Sequence, residues 1–306
     1  LRSIDISEFD TTPGSSAGEP VASAETATLA AQPEAPNTGD ACSDGANNSS
    51  LQCGDGADAS GMFGVTAVGD DAVASGQEAT AVGENAEASG NRGTALGEDA
   101  IANSFNTTAL GNSADATSDN ATALGADAQA SGSESTAAGQ GAEASGIAST
   151  AVGEDTVADT TSTTALGNSA DATADNATAL GAFAEATAIE ATAVGQDAEA
   201  SGGASTAFGE DTVADATSTT ALGNSADATA DNATALGADA SATADDASAL
   251  GRFAEASGVD SVAVGAGSAA IASDALAVGA LADALAVNSV SVGSGADAFG
   301  VDSVSV

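Results

Sequence analysis

The chain has 306 residues and a formal net charge of −42, with no histidine, no lysine and three basic groups in all, Arg2, Arg92 and Arg252. That balance excludes recognition of a nucleic-acid backbone, which needs a basic face, and it opposes binding to anionic lipid. Seven Phe with no Trp and no Tyr are too few bulky residues for an ordinary globular interior. Like copies also repel one another unless salt or divalent cations screen them, so a saline or calcium-containing medium is expected.

Residues 1–52 have the composition of an extended low-complexity arm. Leu1, Ile4, Ile6 and Phe9 give its start a short, strand-like apolar pattern, a candidate for docking on a neighbouring subunit. The chain opens on Leu rather than Met and shows no signal peptide, which reads as a processed or excised segment. No run of eighteen apolar residues occurs, so no membrane insertion is expected in this segment. Cys42 and Cys53, where the arm meets the rest of the chain, are the only two cysteines. A disulfide between them and a pair of free thiols are both open readings.

From Gly69 to Gly293 a glycine returns every fourteen residues, seventeen times without a slip. A fixed short period predicts a solenoid in which each turn rests on its neighbours. Counting forward from that glycine as position zero, position +5 is Ala in all seventeen units and +3 is Ala in fourteen. Positions +4 and +6 are mostly polar, so +3 to +6 alternates as a strand with one dry face. A turn over +7 to +9 comes next, then a second strand over +10 to +13. There +12 is Ala in fifteen units, and +11 is Thr in twelve consecutive units from Thr80 to Thr234. Two short strands per fourteen residues predict an all-β parallel β-roll, or β-solenoid, of about 17–18 turns over residues 53–306. Alanine columns would form its thin interior.

The remaining column needs a partner. Leu96, Leu110, Leu124, Val152, Leu166, Leu180, Val194, Phe208, Leu222, Leu236, Leu250 and Val264 occupy +13 beside the Thr column. With the alanines inside, they form a continuous apolar stripe outside, which marks an interface and predicts a homo-oligomer. The alternative is the reverse packing, with +11 and +13 inward and the alanines outward.

Units such as Asp260-Ser261-Val262-Ala263-Val264-Gly265 and Asn288-Ser289-Val290-Ser291-Val292-Gly293 resemble the head repeat of the YadA-like trimeric autotransporter adhesins. The resemblance covers about residues 54 to 306. It implies a left-handed roll, a homotrimer, a position at the cell surface outside the cell, and adhesion to host or matrix proteins or to other cells. Within residues 1–306 no counterpart of the family's coiled-coil stalk or membrane barrel is expected, and no a/d heptad run is present. The valine of the family motif is Thr through most of this rod.

Beyond Val259 apolar residues enter positions that are normally polar: Ile271, Leu285 and Phe299 at +6, Val287 and Val301 at +8, and Leu281 at +2. The chain ends at Val306 on a second strand, an edge that would template further pairing. Together with Leu1, Ile4, Ile6 and Phe9 these residues are candidates for an end-to-end contact, which gives a second reading: the subunit of a self-polymerising extracellular filament.

Asn106, Asn120, Asn176 and Asn232 begin N-x-T sequons, although any Asn at +9 creates one when +11 is Thr. Acidic columns at +1, +2 and +4 raise the question of calcium, and the Thr column that of ice. Neither carries a specific motif, and a calcium- or ice-binding solenoid is the third reading. No cofactor is expected. Without His, Lys or Tyr, and with no serine beside a base, no catalytic constellation can be assembled, so no enzyme is expected.

Overall fold

The computed structural model describes residues 42–45 and 49–306. Leu1, Ile4, Ile6 and Phe9, and with them the arm's docking role, lie outside the described residues. All regular structure among the described residues is β.

Each fourteen-residue turn contributes a three-residue strand and a two-residue strand. Thr178–Leu180 and Glu185–Ala186 are one such pair. The longer strands stack in parallel and in register: Thr178 lies opposite Thr192, Ala179 opposite Ala193, Leu180 opposite Val194. They form one ladder running from Leu51–Cys53 to Val304–Ser305. The shorter strands form a second ladder, from Val73–Ala74 to Asp297–Ala298. Period and strand spacing therefore agree with the sequence expectation of a parallel β-solenoid.

The interior is made of small side chains, mostly alanine methyls, with fully buried Ser or Thr at some +3 and +10 positions such as Thr156 and Thr163. Alanines at +3, +5, +10 and +12 (Ala184, Ala186, Ala191 and Ala193 in one turn) are all fully buried. This excludes the reverse packing, because the +13 side chains point away from the alanine core and none of them is buried. The physical reason is spacing: small side chains keep the two ladders close enough to meet, whereas Leu or Phe at these positions would hold them apart.

Pairing continues through the turns. In one turn Gly181 N–H donates to the carbonyl of Leu166, and Phe183 N–H to that of Asn168. At the opposite turn Glu190 N–H donates to the carbonyl of Asp175. Backbone groups that loops usually surrender to water are thus satisfied by the next turn.

The turns obey a rule that the residue pattern alone did not expose. Positions +2 and +9, seven residues apart, both adopt left-handed φ near 55–60°, as in Asp71 and Glu78 or Asp99 and Asn106. The fourteen-residue turn is thus two seven-residue half-turns. Asn and Asp are frequent at these positions because their side chains tolerate that conformation best among non-glycine residues. Part of the acidic patterning therefore has a backbone cause.

The first turn is longer. Leu51 pairs with Thr66, fifteen residues on, whereas Thr66 pairs with Thr80. The extra residue is accommodated where Glu78 N–H is shared between the carbonyls of Met62 and Phe63. Before it, Ser43–Asp44 pairs antiparallel with Leu51–Cys53. Cys42 and Cys53 are disulfide-bonded across the open side of that hairpin, with Cα atoms 4.2 Å apart.

Candidate interaction surfaces

The Thr/Leu stripe is built by strand alternation. In the longer strands from Thr66–Val68 to Leu276–Val278 the central Ala is buried, while the residues on either side face outward and are half-buried or exposed. Leu110, Val152, Leu166, Phe208 and Leu222 are exposed, Leu110 to 45% and Phe208 to 51%. Leu96, Leu124, Leu180, Val194, Leu236, Leu250 and Val264 are half-buried, mainly by stacking on one another. All twelve share one face, in register, over the coils from Leu96 to Val264, with Ala138 in the same column. A continuous unpartnered apolar column of this length is uncommon on a monomer.

The apolar residues of the last turns separate into two places. Ile271, Leu285 and Phe299 come directly after successive short strands, and Val287 and Val301 lie two residues further along the same corner. Leu281 is at the opposite turn, in the left-handed conformation with φ 57°. All six are exposed, Phe299 to 69%.

The outer face of the shorter strands carries partly desolvated carboxylates. Asp115, Asp171 and Asp227 recur four turns apart, each stacked on an apolar neighbour: Ile101, Val157 and Val213. Burial raises the pKa of all three. Asp159 adds like-charge repulsion at Asp171, and Asp215 and Asp239 add it at Asp227. Asp283 is raised by burial and by Asp297 in the next strand. Asp119 shifts the other way, because Ser104 Oγ and the N–H of Phe105 both donate to its carboxylate. Asp175 and Asp231 accept the N–H groups of Thr161 and Thr217 in the same manner. These +8 acids cap a turn donor of the preceding coil. Among the described residues, no group of three or more His, Cys, Asp or Glu is arranged to hold a metal ion.

The sequon asparagines Asn106, Asn120, Asn176 and Asn232 are all exposed at the left-handed +9 position. Asn106 Nδ2 donates to Asn120 Oδ1 at 3.0 Å. Two structural demands, Asn for the turn and Thr for the strand, meet in each sequon.

A parallel β-solenoid of fourteen-residue turns, alanine-cored, with one apolar face left open, defines the class of the protein: a repeat rod. A family model described as "YadA head domain repeat (2 copies)" matches it in overlapping copies between residues 64 and 282, among them 116–142, 172–198, 228–254 and 256–282. The chain belongs to the YadA head family, a structural and adhesive family rather than an enzymatic one. No curated protein matches it. No helix among the described residues is long and apolar enough to cross a membrane.

Proposed function

We propose that this chain is the head of a trimeric adhesin of the autotransporter type, displayed outside the cell, that attaches its bearer to other cells, host or matrix proteins, or surfaces. The observation that carries the reading is the unbroken outward column from Leu96 to Val264, in a chain whose family match covers the same residues. Three such columns brought around one axis would bury one another without opposing the acidic faces, which point away across the thin alanine interior. Sedimentation of the purified protein tests it: a species of three 28.3 kDa chains is expected, and a monomer at all salt concentrations would overturn it. Beads coated with the trimer should then be retained on a matrix-coated or cell-coated surface, and uncoated beads should not.

A second reading is favoured by the exposed apolar corner of Ile271, Leu285, Val287, Phe299 and Val301, a contact of the kind that joins rods end to end. Seated by the segment containing Leu1, Ile4, Ile6 and Phe9 of another copy, it would make the rod the subunit of a filament. Electron microscopy separates the two readings: discrete short rods for the first, fibres with an axial repeat near one rod length for the second.

A further inference from the structure

Both arginines among the described residues stand over phenylalanine rings, in a chain that has only three Arg and seven Phe. Arg252 lies 4.7 Å from the ring centre of Phe253, and Arg92 lies 5.9 Å from that of Phe105. They differ in what surrounds them. Arg92 and Phe105 line a groove of about 310 Å³ together with Gln77 and Asn91.

The groove is made by the left-handed turn. Gln77, Asn91 and Phe105 stack at +8 in three successive coils, with Glu78, Arg92 and Asn106 beside them at +9, each at φ near 57–60°. The two columns therefore stand next to each other with a channel between them. Glu78 Oε2 holds Arg92 Nε at 3.1 Å. That engages Nε and leaves the two terminal nitrogens of the exposed guanidinium available as donors. Asn91 Oδ1 accepts the N–H of Gln77 at 3.0 Å, the capping role filled elsewhere by Asp119, Asp175 and Asp231. Asn in place of Asp removes a charge and leaves Nδ2 as another donor. Phe105 remains 47% exposed, its ring forming one wall of the groove.

We propose that this groove binds an uncharged glycan, a sugar ring lying on Phe105 with its hydroxyls held by Gln77, Asn91 and Arg92. Three features select that chemistry. An aromatic wall beside convergent amide and guanidinium donors fits a flat, hydroxyl-rich, partly apolar ligand. The donors outnumber the acceptors here, against a surface that elsewhere presents carboxylates. A net charge of −42 disfavours the approach of anionic sugars. The groove lies on the turn, off the Thr/Leu stripe, so covering the stripe does not require filling it. The inference deepens the adhesive reading and rests on it for its biological setting.

The test presents the full chain to an array of neutral, sialylated, uronate-containing and sulfated glycans. Binding to neutral glycans is expected, with Phe105→Ala reducing it at least tenfold and Arg92→Gln reducing it several-fold. Arg252→Gln and Phe253→Ala, in the other Arg–Phe pair and many coils away, should bind as the wild type does. All four positions are at exposed turns, and circular dichroism checks that each variant keeps its β signal. No neutral glycan bound, binding confined to anionic sugars, or an equal loss in Phe253→Ala would overturn the proposal. Retention of wild-type beads on matrix without glycan binding would sink this site and leave the adhesive reading standing, whereas loss of all retention would sink the adhesive reading itself.

Discussion

Gly181 and Gly195 stack one turn apart so closely that a Cβ on Gly181 would be driven into the carbonyl oxygen of Gly195. Gly181 also has φ 143°, a conformation that side chains rarely adopt. Sterics and backbone conformation thus impose the same residue at the same place, which is why the period never slips.

Gly181→Ala should cost more than about 3 kcal/mol, from backbone strain and from a clash that cannot relax into a flexible neighbour. Gly203→Ala is the control: it lies in the opposite turn, where an added Cβ meets nothing within 4 Å, and its effect should be within about 1 kcal/mol of neutral. Urea denaturation followed by circular dichroism compares them. Equal midpoints for the two variants would contradict the close stacking of the glycine column.

Thr163 closes its turn with a side chain. Its Oγ1 donates to the carbonyl of Thr160 at 2.8 Å and is fully buried. Thr107 and Thr219 do the same four turns before and after. Replacing Thr163 by Val keeps the shape and removes the donor, at an expected cost of about 1 kcal/mol. Thr163→Ser should fall between Val and wild type in thermal midpoint. A Val variant as stable as wild type would show that the bond adds nothing.

Acidification should stabilise the rod. Asp171 and Asp227 have raised pKa values, first from burial and then from neighbouring carboxylates. The folded state therefore prefers their neutral form. Their favourable contribution is complete below the unfolded-state pKa and is lost as pH rises through the raised folded values. The thermal midpoint should climb as pH is lowered from 7 towards about 4. Asp171→Asn combined with Asp227→Asn should raise the midpoint at pH 7 and flatten the slope. A midpoint that falls over that range, or a slope unchanged by the two substitutions, would count against it.

Charging the stripe should separate the subunits. Leu110, Leu166 and Leu222 are exposed at equivalent places four turns apart. Substituting all three with Asp should convert the proposed trimer to monomer in sedimentation and leave the β signal intact. A trimer that survives all three changes would place the interface elsewhere.

Much of this was legible in the residues because the repeat multiplies each signal. Alanine at +5 in every unit declared the dry face, and burial of Ala74 through Ala298 is its consequence. The left-handed positions at +2 and +9 were less legible, since Asp, Asn, Ser, Glu, Phe and Leu all occupy them, as Phe183 and Leu281 illustrate. Tight parallel stacking imposes that conformation whatever the local preference. The +4 column, mostly polar by residue type, is half-buried at Asp115, Asp171 and Asp227, where each carboxylate is stacked on a β-branched side chain one coil earlier.

The period, the two strands and the alternating alanine and Thr/Leu columns were determined by the sequence alone, because strand alternation divides a fourteen-residue coil into two faces. Burial of the alanines was decided by the tertiary structure, which leaves the +13 residues outside. Which side chains meet across coils was decided only by the tertiary structure. Gln77, Asn91, Arg92 and Phe105 span three coils and no local pattern joins them. They converge because stacking carries residues about fourteen apart to within one strand spacing, about 4.8 Å, and because the left-handed turn stands their columns side by side.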